Sequence, residues 1–282
     1  HRFNRPPERI VSLGPNQTVL LFQLNAQGRL IARSDRSTDP PAAAPLAAVR
    51  TRPSLDIDTL LSMQPDCILA TPEVFGTTPL DTVRQVFARY NLPLVIQSYA
   101  TLPEWASATK AVGRLTKTLP AAEKLTNRFL GFVDSVRQAT QAQQQKRVAI
   151  LTQTRPLTFA GNHHILSKLT EAAGGSNVFA HHDAEQLFFP LDSLARYQPQ
   201  AILVPPETAG RIRTAAAQIP GLRQSPALQE DGLAVLHSRL SAHGGPQSAL
   251  ALVELASILR PSLDIGSIYA QYFEPLEANA QQ

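Results

Sequence analysis

The stretch IDTLLSMQPDCILATPE, Ile57 to Glu73, returns without gaps as LDSLARYQPQAILVPPE, Leu191 to Glu207. Asp58 matches Asp192, Leu60 matches Leu194, Gln64-Pro65 matches Gln198-Pro199, Ile68-Leu69 matches Ile202-Leu203 and Pro72-Glu73 matches Pro206-Glu207, all at an offset of 134 residues. In each copy the apolar positions change from helical spacing to a continuous run after the proline, which predicts a short helix, a turn and a buried strand. An internal repeat of this kind sets the fold class before any motif is considered.

Working outward, Arg9-Ile10-Val11-Ser12-Leu13 opens the first half and Arg147-Val148-Ala149-Ile150-Leu151 opens the second. Both are strands bounded by turn residues. Strands alternating with helical patterns in each half predict βαβ units. The expected fold class is α/β: two similar lobes with mainly parallel sheets, joined by one long bridging helix. The expected division is an N-terminal α/β lobe over 1–118, a bridging helix over 119–145, a C-terminal α/β lobe over 146–270 and a tail over 271–282. Pro120 stands at a helix start, and Leu125, Phe129, Phe132 and Val136 follow as an amphipathic stripe. Extended to Gln145, that helix would reach about 39 Å at about 1.5 Å per residue. Its polar end, QATQAQQQK, either continues the helix or forms a flexible linker.

The 282 residues, 43% of them hydrophobic, suffice for two compact lobes. The formal net charge is +4, but Lys and Arg are scattered and aromatic residues make up only 6%, which argues against a nucleic-acid surface. The basic balance suits an anionic ligand. Cys67 is the single cysteine and lies in the apolar run CILA, so intrachain disulfides and multi-cysteine metal sites are excluded and a core-filling role is expected. No run approaches the 18 apolar residues of a membrane span, and His1 follows no charged-then-apolar leader; a soluble, mature form is expected.

Taken together, these stretches resemble the helical-backbone periplasmic binding proteins that deliver ferric siderophores, haem or cobalamin to ABC importers. The resemblance is carried by RIVSLGPNQTVLLFQLNAQGRLIARSD, RTRPSLDIDTLLSMQPDCILA, NLPLVIQSY, the bridging helix, LTFAGNHHILSKLTEAAGGSNVF and LVELASILRPSL, in that order. It implies a ligand held in a cleft between two lobes that close only modestly. It also implies one acidic residue on each lobe pairing with arginines of a permease dimer, which falls on Asp58 and Asp192. The family usually holds glutamate there; aspartate keeps the charge and shortens the reach by one methylene. A twofold permease presents equivalent cations twice, as a repeat presents equivalent acids twice. The plainer alternative is that both aspartates simply lie early in a helix, where their charge favours the dipole.

Ligands of parallel α/β lobes bind beyond the carboxyl ends of the strands. The loops expected there place Asn16, Arg36, Arg50, Arg52, Phe75, Tyr99, His163, His182, Glu207 and His243 as candidate ligand-binding residues. Arg50 and Arg52 stand out because RTRPSLD resembles the segment of hydroxamate-siderophore binders in which arginine meets the chelating oxygens. Guanidinium offers planar, multidentate donation without losing its charge. Solvated surface arginines and a half-buried Tyr99 are the plainer readings.

Histidine is the commonest protein metal ligand, but the neighbours in His163-His164 and His181-His182 point to different sides of an extended chain. With no His-Glu-x-x-His run and no cysteine pair, no resident metal site and no cofactor are expected. Enzyme signatures are missing: there is no Gly-x-Ser-x-Gly elbow, phosphate loop or dinucleotide fingerprint, and Ser107-Ala108-Thr109-Lys110 lacks the partner motifs of penicillin-recognising acylases.

The expected protein is therefore a periplasmic, monomeric substrate-binding protein and not an enzyme, partnered by an inner-membrane ABC permease dimer. Its expected ligand is an iron chelate or corrinoid: a ferric siderophore first, cobalamin or haem as the alternative. The rival from another class is a two-domain α/β metalloenzyme, which a single cysteine disfavours because iron–sulfur clusters need several thiolates.

Overall fold

A computed structural model describes residues 3, 5–99, 101–229, 232–237 and 246–273. The chain divides into two compact units. One holds the residues up to Tyr99 with Pro103–Thr126, the other everything from Asn127 onward with the short link before Pro103.

The first unit runs β1 (Ile10–Ser12), α1 (Pro15–Gln23), β2 (Leu30–Ser34), β3 (Ala47–Val49), α2 (Ile57–Met63), β4 (Cys67–Ala70), α3 (Leu80–Arg89), β5 (Leu94–Ile96) and α4 (Leu102–Leu115). Its five strands are all parallel, in the order β3-β2-β1-β4-β5. Strand alternation sends Ile10, Cys67 and Leu69 into one apolar layer with Leu21, Leu24 and Val112, and Val11, Ile68 and Ala70 into the other with Leu60, Val83 and Phe87. A sheet covered on both faces explains why its strands read as unbroken apolar runs. Cys67 is buried there, and burial first, the Asp66 charge second, pushes its thiol up to about 12. It is a packing residue.

The unit boundary between Thr126 and Asn127 falls inside α5 (Leu119–Thr140). Within the first unit, Ala122 and Leu125 join the layer around Leu21 and Val112. Within the second, Phe132 meets Tyr269 and Phe273 edge-on at 5.6 and 5.7 Å. Gly131 admits the ring of Tyr272, whose Cε1 would lie 2.8 Å from an added Cβ. Arg128 Nε donates to the Tyr272 carbonyl at 2.7 Å. The helix ends at Thr140, short of the expected Gln145, and the polar tail is a turn: Thr140 Oγ1 donates to Ala172 O at 2.9 Å and the buried Arg260 holds the Gln144 carbonyl at 2.6 Å.

The second unit continues with β6 (Lys146–Thr154), β7 (Leu157–Ala160), α6 (Ile165–Ala172), β8 (Gly175–Asn177), β9 (Gln186–Phe188), α7 (Leu194–Tyr197), β10 (Ala201–Val204), α8 (Ala209–Ala217), α9 (Pro220–Arg223), α10 (Pro226–Gln229), β11 (Leu233–Val235), α11 (Pro246–Leu259) and α12 (Ile265–Ala270). Strands β11, β10, β6 and β8 are parallel, as expected, but β7 and β9 add an antiparallel edge beside the far end of β6. Ala149, Leu151, Phe159, Ile202 and Val204 build the core on one face with Phe179.

The two repeat copies share the turn that ends the helix and the strand it feeds. Gln64 and Gln198 both end their helices in the left-handed region, at φ 47° and 42°. Arg9 Nη2 donates to the Met63 carbonyl at 2.7 Å and Nε to the Gln64 carbonyl at 3.2 Å, while Arg147 Nη2 donates to the Gln198 carbonyl at 2.5 Å. The side chains of Asp66 and Gln200 accept from the amides of Arg9 and Arg147 at 2.8 and 2.9 Å.

Candidate functional site

In the first unit the chain leaves β1 for β2 and β3 on one side, then returns to place β4 and β5 on the other, so the topological switch point lies between β1 and β4. Open α/β sheets bind their ligands beyond the strands at that point. Here β1 gives way to Gly14 and the start of α1, with Ser12 Oγ 2.8 Å from Thr18 Oγ1 and 3.0 Å from the Gly14 carbonyl it donates to. Register brings Gly14, Thr71 and Gln97 to one level past the ends of β1, β4 and β5; Gln97 N donates to Ala70 O at 2.9 Å. Gln17, in the first turn of α1, is 2% exposed, and its Oε1 occupies the space a Cβ on Gly14 would fill, 2.4 Å away. Gln97 is 6% exposed. Among the described residues, neither Gln17 Oε1 nor Gln97 Oε1 has a hydrogen-bond partner. An orphaned buried acceptor costs about 1–3 kcal/mol.

Further along the same rim, Asp35 accepts from Thr51 N at 3.1 Å and Thr51 Oγ1 at 2.8 Å, tying the loops after β2 and β3. Arg36 and Arg50 follow those strands and are exposed. Asp56, next to Arg50, accepts from Thr59 N at 3.0 Å and caps α2; hydrogen bonds from Thr59, and then the Arg50 charge, hold its carboxyl below the usual range. A cavity of about 310 Å³ opens between the loop after β3 and α3, lined by Arg52, Leu55, Val74, Phe75, Val83 and Phe87 among others. Phe75 packs edge-on against Phe87 at 5.8 Å. The structure thus brings Arg52 and Phe75 together. Asn16 and Tyr99 are half-buried at the ends of β1 and β5, outside that cavity lining.

In the second unit Glu207 is exposed in a single turn directly after β10, at the expected carboxyl rim. β7 runs antiparallel to β6, and Ala160 ends opposite Ile150, level with Leu203 near the end of β10, where the loop 161–164 begins. Gly161, against which Ala184 O would clash with any Cβ, lets this loop zip to 182–185: Asn162 N donates to His182 O at 3.3 Å and His163 N to Ala184 O at 3.1 Å. His163 Nε2 lies 2.7 Å from Asp183 Oδ1. His182 sits beside Phe189 at 5.3 Å and His181 at 4.0 Å between ring centres. His164 is buried and caps α6, its Nδ1 accepting from Leu166 N at 3.2 Å. Among the described residues no three His, Cys, Asp or Glu groups converge as metal ligands. His243 lies outside the described residues.

Two features escaped sequence reasoning. Gln97 is an ordinary polar residue until strand order places it at the switch point, and the burial of Gln17 is not visible in the loop Gly14-Pro15-Asn16-Gln17 that the sequence expects after β1. Phe188 is 64% exposed on the edge strand β9, paired through Thr158 to Gln153 near the carboxyl end of β6. The alternation of Leu187 and Phe189 into the core was the available signal. Asp58 and Asp192 occupy equivalent exposed positions in the first turns that precede Gln64 and Gln198.

The sequence signature of the periplasmic binding proteins matches residues 10–240, and the chain belongs to that family. Members bind small-molecule ligands and work with ABC permeases. The vitamin B12-binding protein of Pectobacterium carotovorum subsp. carotovorum (strain PC1) is 24% identical over 200 residues, covering 70% of this chain and 71% of that protein. The crystal structure of the periplasmic vitamin B12-binding protein of Vibrio cholerae superposes with a TM-score of 0.77 at 22% identity, covering 91% of this chain and 98% of that one. A possible iron-binding, periplasmic solute-binding protein of Staphylococcus epidermidis ATCC 12228 gives 0.78 at 16% identity, covering 91% and 100%. These solved structures share the two-lobed α/β fold with mainly parallel sheets.

Proposed function

We propose that this chain is the periplasmic substrate-binding protein of an ABC importer for a bulky metal chelate, acting as a monomer and without covalent chemistry. The family match over residues 10–240 carries this reading. The ligand is held by the carboxyl-rim loops, where Arg36, Arg50 and Arg52 supply charge and Phe75 an apolar surface. A corrinoid is the first choice, supported by curated relatives that bind vitamin B12. A ferric siderophore is the second, supported by the paired arginines after β3, whose guanidinium groups suit chelating oxygens. This reverses the order expected from the sequence alone.

Asp58 and Asp192 dock the loaded protein on the permease. Exposed ion pairs contribute about 0.2–1 kcal/mol each, so they set orientation and association rate more than affinity. Replacing both by alanine leaves ligand affinity unchanged and lowers uptake in a reconstituted importer; unaltered uptake refutes the docking role.

A further inference from the structure

The cavity of about 310 Å³ beside Arg52 lies wholly within the first unit. Native interiors keep few voids larger than a water molecule, so a cavity of this size asks for an occupant. An apolar cavity of about 150 Å³ holds one benzene ring, which gives this one room for about two rings and not for a whole chelate. Its walls suit such a group: Leu55, Ile57 and Val86 are half-buried around it, and Val83 and Phe87 are buried. Arg52, exposed, is the one charged residue of the lining among the described residues. The geometry points to this cavity as a side pocket for an apolar arm of the bound chelate, an aryl or branched-alkyl group joined to the chelate core through a carbonyl that Arg52 meets.

This rests on the reading of the chain as a chelate-binding protein and adds a demand on its ligand: a core held at the rim and an arm lodged between the start of α2 and α3. Two features hold the pocket open. The loop over 51–55 is tied at both ends, by the bonds of Thr51 to Asp35 and by Asp56 N, which donates to Arg50 O at 3.0 Å. After β4 the chain makes one turn over Pro72–Phe75 and then runs through 76–79 before α3 begins at Leu80. The second repeat copy passes straight from its turn over Pro206–Thr208 into α8 at Ala209, the equivalent of Phe75. Gly76, at φ 59°, and Thr78 come from that added stretch and line the cavity, so the pocket is built by what distinguishes the first copy from the second.

The test uses two ferric chelates with one core, ferrioxamine B acylated on its terminal amine with acetyl or with 2-naphthoyl, in titration calorimetry. The full chain is compared with Val86→Trp and Leu55→Trp, which fill the cavity from α3 and from the loop. The naphthoyl chelate is expected to bind the wild-type chain about tenfold tighter or more, the scale of burying one large apolar group. Each variant is expected to bring naphthoyl affinity down to the acetyl value, with acetyl affinity and the ligand-free melting temperature as in the wild type, the sign of an intact fold. Equal affinity of the wild-type chain for the two chelates overturns the pocket and leaves the chelate reading standing, and this comparison holds whether or not the variants fold. A naphthoyl preference that survives in both folded variants does the same. Binding of neither ferric chelate also overturns the pocket; cyanocobalamin bound by the same protein then keeps the chelate reading, and binding of none of the three removes it.

Discussion

The two repeat copies agree in their turns and strands and differ in their helices. In both, a left-handed glutamine ends the helix, an arginine at the head of the opening strand bonds its carbonyl, and a four-residue buried strand follows. Yet α2 has seven residues and a side-chain cap from Asp56, whereas the second copy begins as a tight turn after Pro190 and has only the four-residue α7, with no side-chain cap. The duplicated architecture therefore resides in the turn and the strand it feeds, and helix length is free to drift. Downstream the copies diverge again: the first sheet is wholly parallel, while the second gains the antiparallel β7–β9 edge.

The largest effect should come from the equivalent core leucines. Leu60→Ala and Leu194→Ala, both fully buried, should each cost about 2–5 kcal/mol in urea unfolding. A loss in only one would show that the halves are not energetically equivalent. A smaller and opposite effect is expected at the turns. Gln64→Gly relieves a left-handed penalty of about 1–2 kcal/mol, less glycine's extra chain entropy, and should raise stability by up to about 1 kcal/mol. Gln198→Gly should gain less, because it forfeits the Nε2 bond to Ala195 O at 2.8 Å. Equal gains would deny that bond any weight.

The smallest effect separates the copies by pH. The Asp56 carboxyl titrates below its ordinary value because Thr59 bonds the charged form, so its contribution is complete above the unfolded-state value and fades as pH falls through the folded one. Asp56→Asn keeps a capping side chain and should flatten that part of the acid limb of a stability–pH curve. An unchanged acid limb would remove Asp56 from it.

Much of this was legible in the residues. The gapless match of Ile57–Glu73 to Leu191–Glu207 already implied twin α/β lobes, and the stripe Leu125, Phe129, Phe132, Val136 marked α5, where the last three are fully buried. The reversal of β7 was hidden because LTFA has the apolar character of a parallel core strand and its direction depends on pairing with β6 and β9. That reversal sets where the loop carrying His163 begins. The burial of Gln17 and Gln97 was hidden for a related reason: burial and strand order are properties of the assembled sheet, and a glutamine beside a proline turn looks solvated in one dimension.

The most direct test of the account is the melting temperature of the intact chain titrated with cyanocobalamin beside a ferric hydroxamate and haemin. A ligand that binds only the folded state adds about 2.7 kcal/mol at a hundred times its Kd. A saturable rise is expected with cyanocobalamin. Melting that none of the three chelates shifts would contradict it.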